Sequence, residues 1–317
     1  MRILVTGATG FIGTRLCELL VGESHSVIGV SRSGKGSVPG VDYRAADFTD
    51  ASAVEDCLAS VDCIVHLAGR AHVLNKQGDA ADLYRAVNCD ATLQLARMAM
   101  TAGVRRFVFI SSIGVNGNES GDERFTETSV PRPVAPYARS KLEAEQGLQA
   151  LVQSGGMELV VIRPPLVYGA QAPGNFSTLL NVVDKGIPSP FGAVRNARSI
   201  VSVDNLARLI SLASQHPDAA GHLFLASDGT DVSTPQILSA LAQGMQQRQW
   251  SIPVPPGLLA WLLKRVGKQD MSTQLCGSLI IDGSKAREML GYQPDPDTLR
   301  SLREVGRQYR ANSRKTV

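Results

Sequence analysis

The first thirteen residues constrain this chain more than any other feature. Arg2-Ile-Leu-Val-Thr6 is a short β-branched run that leads at once into Gly7-Ala-Thr-Gly10-Phe-Ile-Gly13. A strand that ends in spaced glycines and continues as a helix is a phosphate cradle. Glycine accepts positive φ and lets the main chain come close to an anion. The opening N–H groups of the helix lack partners of their own and carry the positive end of its dipole. A third glycine, Gly13, lets the helix pack tightly on the strand. Gly7, Thr9, Gly10, Phe11, Ile12 and Gly13 are therefore expected to line the pyrophosphate of a dinucleotide.

The pattern downstream supports that placement. Apolar, β-branched runs at 2–6, 26–31, 63–67, 106–111 and 159–163 alternate with helical stretches near 11–21, 51–59, 80–102 and 137–154. The strand runs are continuously apolar, as in a parallel sheet covered on both faces. The expected fold is α/β, a Rossmann-type doubly wound parallel sheet with ligands at the carboxyl ends of its strands. After Arg163, prolines and glycines crowd the chain, and a smaller, more irregular C-terminal substrate-binding domain is expected. The division is a dinucleotide-binding domain over 1–165, with 200–227 returning to it, and a substrate-binding domain over 166–317.

Composition excludes several classes. With 32 basic and 29 acidic residues in 317, nothing favours a nucleic-acid partner. The five cysteines (Cys17, Cys57, Cys63, Cys89 and Cys276) form no Cys-x-x-Cys pair and read as reduced thiols of a cytoplasmic protein. No metal-ligand spacing is present, no signal peptide is visible, and no run is long enough to span a membrane. The apolar stretch 257–266 reads as a buried or half-buried helix rather than a membrane-surface one. Arginines at 300, 303, 307, 310 and 314 form a stripe that reads as a solvated helix face rather than a contact for acidic lipid.

The second chemical signal is Tyr137-Ala-Arg-Ser-Lys141. Four residues apart on a helix places both side chains on one face. The lysine ammonium is expected to stabilise the phenolate and lower the pKa of Tyr137, so that the phenol can exchange a proton with an alcohol or carbonyl. A serine just past the strand at 106–111 can hydrogen-bond the reacting oxygen. At the end of the second strand, where an acid would hold the ribose 2′-hydroxyl of NAD, stand Ser31, Arg32, Ser33 and Lys35. Arg32 would receive a 2′-phosphate, which favours NADP(H) over NAD(H).

Thr6-Gly-Ala-Thr-Gly-Phe-Ile-Gly13, with Tyr137-x-x-x-Lys141 and Arg163-Pro-Pro-Leu-Val-Tyr-Gly169, resembles the extended short-chain dehydrogenase/reductases, within them the NAD-dependent epimerase/dehydratase family of nucleotide-sugar enzymes. The resemblance implies that Asp47 and Phe48 lie beside the adenine, that Leu67, Ala68 and Gly69 pass under the cofactor, and that Asn88 is a structural asparagine of that site. It adds Pro164 and Val167 to the cofactor residues, and Tyr137 and Lys141 as cofactor contacts besides their catalytic role. Counting back from Val115-Asn116-Gly117 selects Ser112 rather than Ser111 as the catalytic serine. Asn116 replaces the usual tyrosine, and Ile113 stands where dehydratases carry an acid. Asn175 and Arg198 match residues that hold the substrate diphosphate, and Phe191 matches one that packs near the uracil. The family's second diphosphate clamp has no clear match near Leu275 and Cys276.

His66-Leu-Ala-x-Arg-x-His-Val73 and Gly192-Ala-Val-Arg-Asn196 resemble a subgroup that includes UDP-4-keto-sugar reductases and proteins called UDP-glucose 4-epimerase. The implied activity is oxidoreduction at C4 of a UDP-sugar. The favoured form is NADPH-dependent reduction of a UDP-4-keto-6-deoxy-N-acetylhexosamine for surface polysaccharide. The alternatives are a UDP-hexose 4-epimerase with bound NAD and a catalytically silent, NADP-binding redox sensor. The resemblance also implies a homodimer joined through the helices near 80–102 and 137–154.

Overall fold

The structure, a computed structural model of the chain, describes residues 1–70, 80–121, 123–265 and 269–315. His72 and Val73 of the subgroup motif lie outside the described residues, as does the side chain of Arg314. The first part runs β1 Arg2–Thr6, α1 Phe11–Gly22, β2 Ser26–Ser31, β3 Val41–Ala45, α2 Ala51–Glu55, β4 Cys63–His66 and α3 Ala80–Arg85. A π-helical turn, Ala86–Asp90, leads into α4 Ala91–Thr101, β5 Arg106–Ile110, α5 Pro136–Val152 and β6 Glu158–Arg163. The second part comprises β7 Leu166–Tyr168, α6 Gly174–Asp184, β8 Ile200–Ser202, α7 Val203–Gln215 and β9 Leu223–Leu225. It ends with α8 Thr234–Met245, α9 Pro256–Arg265, α10 Gln269–Cys276, α11 Ser284–Leu290 and α12 Thr298–Lys315.

The apolar runs foretold β1, β2, β4, β5 and β6 to within one residue. They missed β3, whose residues are only half-buried or exposed because it is an edge strand. Two helices departed from expectation: the one at 51–59 is confined to Ala51–Glu55, and the one at 80–102 is interrupted by the π-helical turn.

The large sheet has the order β3-β2-β1-β4-β5-β6-β9, with every neighbouring pair parallel. The chain winds outward in one direction from β1 through β3, then returns and winds the other way from β4. The carboxyl ends of β1 and β4 therefore flank the switch point where a ligand crevice opens. Alternate strand residues feed two cores. Ile3, Val5, Cys63, Val65, Val108 and Ile110 pack on α1 and α7. Leu4, Ile64, Phe107 and Phe109 face the opposite way, toward α4 and α5. Strands buried on both faces must be apolar throughout, which explains the continuous runs.

Residues 203–225 return to this sheet: α7 covers one face and β9 pairs with β6. A third core joins Tyr168 and Phe176 to α8 and α12. There the helix backbones nearly touch: a Cβ on Gly244 would stand 1.9 Å from the carbonyl oxygen of Arg303. β7 and β8 form a separate two-stranded parallel sheet.

On α9, where a buried or half-buried helix is expected, Leu259 is buried while Leu258 and Trp261 are exposed. On α12 the arginine stripe is largely neutralised, with Arg300 paired to Asp295, Arg307 to Glu304 and Arg310 to Asp184. All five cysteines are free. No described helix is long and apolar enough to cross a membrane.

Candidate active site

The glycine turn is dictated by backbone contacts. Gly7 has φ +69°, and a side chain there would meet the main-chain nitrogen of Ala68 at 3.0 Å. The Gly10 N–H donates to the Gly7 carbonyl at 2.9 Å. Gly10 then opens α1 without a side-chain cap, and the first turn carries no acid. The leading amides of α1 thus remain available to an anion. At Gly13 a Cβ would stand 2.1 Å from the Gly7 carbonyl oxygen, so any larger residue would break the turn. Thr9 and Gly10 are exposed at its rim, and Ile12 packs on the core. Phe11 lies against Gly169, where a Cβ would fall 2.8 Å from its ring. A small, acid-free, amide-lined crevice fits a dinucleotide diphosphate.

A buried polar chain ties this turn to the next loop. Ala68 N–H donates to Thr6 Oγ1 (3.2 Å), which lies 2.8 Å from His66 Nδ1. His66 Nε2 is 3.0 Å from Thr92 Oγ1, and that hydroxyl donates to the Asn88 carbonyl at 2.8 Å. Thr92 has one proton and gives it to Asn88, so it accepts from His66, which must carry its proton on Nε2. Nδ1 then accepts from Thr6. Burial, reinforced by Lys141, pushes the His66 pKa down to about 3 and keeps the ring neutral. Asn88 sits on the π-helical turn. Its amide accepts from Arg70 N–H (2.7 Å) and donates to the Arg70 carbonyl and Ser140 Oγ (both 3.1 Å). Gly69 passes so close that a Cβ would meet Asn88 Oδ1 at 3.0 Å. Leu67, Ala68 and Gly69 are thereby clamped beside the glycine turn.

At the end of β2, Arg32 is exposed. Asp47 accepts from the Thr49 amide (3.0 Å) and hydroxyl (2.7 Å), and these bonds hold its carboxyl below the usual range, with Arg32 adding to the effect. Arg32 and Asp47 therefore share one neighbourhood. Phe48 packs edge-on to His66, with ring centres 5.1 Å apart.

Ser112 and Lys141 meet at the carboxyl end of β5, and Tyr137 stands one turn before Lys141 at the start of α5. Ser112 Oγ accepts from Gly114 N–H at 3.1 Å, leaving its hydroxyl proton free to donate. Ser111, by contrast, is buried with its Oγ unpartnered. The turn after Ser112 lies on α5, since a Cβ on Gly114 would touch Ala138 at 3.3 Å. Lys141 Nζ donates to the Ile110 carbonyl (2.9 Å), stands 4.5 Å from the centre of the Phe109 ring, and backs onto Gly69. Burial lowers its pKa to about 8, against the partial support of Glu145.

The expected lowering of Tyr137 is not found. Burial pushes its phenol up to about 12, and Tyr84, whose ring stacks edge-on at 6.0 Å, adds to the rise. The reason is geometric: the lysine shares the helix face, but its ammonium turns to the Ile110 carbonyl.

The family's tyrosine position also finds a local explanation. Arg163 pairs with Glu145 through two donors and gives a third to Asn116 Oδ1 at 2.9 Å. This buried clamp links β6, α5 and the Ser112 turn. Sequence reasoning missed Glu145, although it lies four residues beyond Lys141 on the same helix face. It also missed Thr6, Thr92 and Tyr84. Pro164 accepts from Ile113 N–H through its carbonyl (2.9 Å), and Val167 packs on the core beside β8.

The residues expected to bind substrate lie on separate elements. Arg198 is nearly buried and donates to the Gly277 carbonyl at 2.9 Å. Burial lowers its pKa, and Glu119 opposes that shift. Asn175 opens α6 and donates to Gln274 on α10 at 2.6 Å. Phe191 is half-buried, on a segment bridged to Pro253. Asn175 and Arg198 thus both reach the segment 274–277, where no clear second clamp was legible.

Comparison with known proteins agrees with this arrangement. The family model "NAD dependent epimerase/dehydratase family" matches residues 3–226. A Vibrio cholerae UDP-glucose 4-epimerase is 41% identical over 302 residues, covering 94% of this chain and 92% of the relative. An Escherichia coli O157:H7 N-acetyl-alpha-D-glucosaminyl-diphospho-ditrans,octacis-undecaprenol 4-epimerase is 26% identical, covering 81% and 77%. The crystal structure of Thermus thermophilus UDP-glucose 4-epimerase in complex with NAD superimposes with a TM-score of 0.80 at 25% identity, covering 98% of this chain and 99% of that one. With the family model matching residues 3–226 and a relative 41% identical over nearly the whole chain, the protein belongs to the NAD-dependent epimerase/dehydratase family.

Proposed function

We propose that the protein moves hydride at C4 of a UDP-sugar and runs as an NADPH-dependent reductase of a UDP-4-keto-6-deoxy-N-acetylhexosamine, for surface polysaccharide. Arg32 carries the choice of cofactor: an exposed guanidinium, with no acid at the end of β2, suits a 2′-phosphate. When bound, the nicotinamide supplies the hydride. Tyr137 gives the C4 oxygen its proton, and a phenol held near 12 is fully protonated at neutral pH, as an acid in the reducing direction must be. Ser112 offers its free hydroxyl proton to the same oxygen. Lys141 keeps two N–H donors beyond its bond to Ile110, enough to hold the nicotinamide ribose. Asn175 and Arg198 hold the diphosphate, Arg198 through its fork of donors, and Phe191 packs near the uracil.

A second reading, 4-epimerisation with a retained NAD, is supported by the names of the Vibrio cholerae and Thermus thermophilus proteins. Two assays separate them. NADPH oxidation on addition of the 4-keto sugar supports the reductase, whereas interconversion of UDP-galactose and UDP-glucose without added cofactor overturns it. Turnover in either assay excludes a silent redox sensor. Arg32→Glu is expected to shift preference from NADPH toward NADH, and an unchanged preference removes the ground for the reductase. Tyr137→Phe is expected to cut turnover at least about a thousandfold with dinucleotide affinity unchanged. A homodimer through α3, α4 and α5 fits the exposure of Leu83, and Leu83→Glu is the variant to run against wild type on a sizing column.

A further inference from the structure

Several of the large apolar side chains that this fold exposes lie on the segment paired with that of Phe191 and on the helix that follows it. Residues 189–192 pair with 250–252: Ser189 N–H donates to the Trp250 carbonyl, and Ile252 N–H to the Ser189 carbonyl, both at 2.8 Å. Trp250 and Ile252 are two residues apart on an extended segment and so share a side; they are 65% and 53% exposed. Ile187, just before the paired segment, is also exposed. A few residues on, α9 presents Leu258 and Trp261, three apart on one helix face and 49% and 53% exposed. Both tryptophans of the chain therefore lie in this region.

The charged residues of these segments have one sign. The chain has no Asp or Glu from Lys185 to Val203, nor from Gln246 to Gln269, although acids and bases are nearly balanced overall. Lys185, Arg248, Lys264 and Arg265 are exposed and make no ion pair among the described residues. Arg265 lies over the Trp261 ring, 5.1 Å from its centre, so cation and aromatic anchor form one unit. The arginine stripe of α12 differs, since Arg300, Arg307 and Arg310 are satisfied by acids.

We propose that this face, formed by Ile187, Trp250, Ile252 and the Leu258–Trp261 side of α9, docks the enzyme on an anionic lipid bilayer. Tryptophan beside unpaired lysine and arginine suits the headgroup layer, where the ring is half in hydrocarbon and the cation meets phosphate. A second copy of the chain is the poorer occupant: a two-fold contact would set Lys264 and Arg265 against themselves. Because the docking segment pairs with the one that carries Phe191, that residue lies at the membrane edge. The inference is independent of which C4 chemistry the protein performs.

The experiment uses the full chain with vesicles of phosphatidylcholine, alone or mixed with phosphatidylglycerol, and no substrate. The expected result is sedimentation with the mixed vesicles, a blue shift of tryptophan emission, and reversal by salt. Lys264→Glu with Arg265→Glu is expected to weaken partitioning at least about tenfold. Dinucleotide binding should be unchanged, and the Leu258→Ser, Trp261→Ala double variant should also lose binding. Brominated lipid should quench the wild-type emission, a readout that needs no variant to fold. Protein left in the supernatant, equal partitioning into neutral vesicles, or an absence of quenching overturns the proposal. A blue shift that grows with protein concentration in the absence of lipid overturns it in favour of a protein contact.

Discussion

The glycine crevice and the proposed substrate cleft are built by different means. In the crevice, main chain touches main chain, Gly13 on Gly7 within one tight turn and Gly7 on Ala68 at the end of the neighbouring strand. In the cleft, contacts join residues far apart in the chain, Arg198 to Gly277 and Asn175 to Gln274. Local steric demand leaves few residue choices and marks the sequence, whereas a distant side-chain contact leaves no spacing to read. The same physics therefore makes one site legible and the other obscure.

Two glycines break the comparison most sharply. Gly13→Ala places a methyl 2.1 Å from the Gly7 carbonyl oxygen, and Gly244→Ala places one 1.9 Å from that of Arg303. Both changes should destabilise the protein by about 3 kcal/mol or more, because backbone, not a flexible side chain, must move. They should differ in function. Gly13→Ala is expected to abolish dinucleotide binding under conditions where the protein is still folded. Gly244→Ala, at the α8–α12 contact, should leave dinucleotide affinity intact. Urea unfolding with a dinucleotide titration checks both, and equal losses of affinity would erase the distinction.

A smaller effect tests the cleft. Arg198→Lys retains the charge but loses the fork that bonds Gly277 and remains to grip a diphosphate. One charge-assisted bond is worth about 1.5 kcal/mol, so KM for the UDP-sugar should rise roughly tenfold. Dinucleotide affinity should not change. A rise in dinucleotide Kd of similar size would show that the two sites are not separable.

The particulars show how much was legible. The strand ends, the glycine turn and the Tyr137–Lys141 spacing were read from composition and period, and Ser112 from its place in a resemblance. The relay through Thr6, His66, Thr92 and Asn88 was not, because its members come from β1, β4, the π-helical turn and α4. Nor was the π-helical turn itself, Ala86–Asp90. Spacing placed Lys141 on the right face but could not say which acceptor its ammonium would choose.

That choice yields the smallest effect, and one of opposite sign to the others. Burial lowers the Lys141 pKa from 10.5 to about 8, a cost on the order of 3 kcal/mol to the folded state at neutral pH. Lys141→Met removes the cost but leaves the Ile110 carbonyl without its donor, which returns about 1–2 kcal/mol. The variant should therefore be inactive yet more stable by about 1–2 kcal/mol at pH 7. Between pH 8 and 10.5 the unfolded chain holds the proton that the folded one has lost, so the stability of the wild type rises through that window. The advantage of the variant should shrink accordingly and reverse near the upper end. A variant less stable than wild type at pH 7, or an advantage independent of pH, would mean that the ammonium stabilises the fold as well as serving the chemistry.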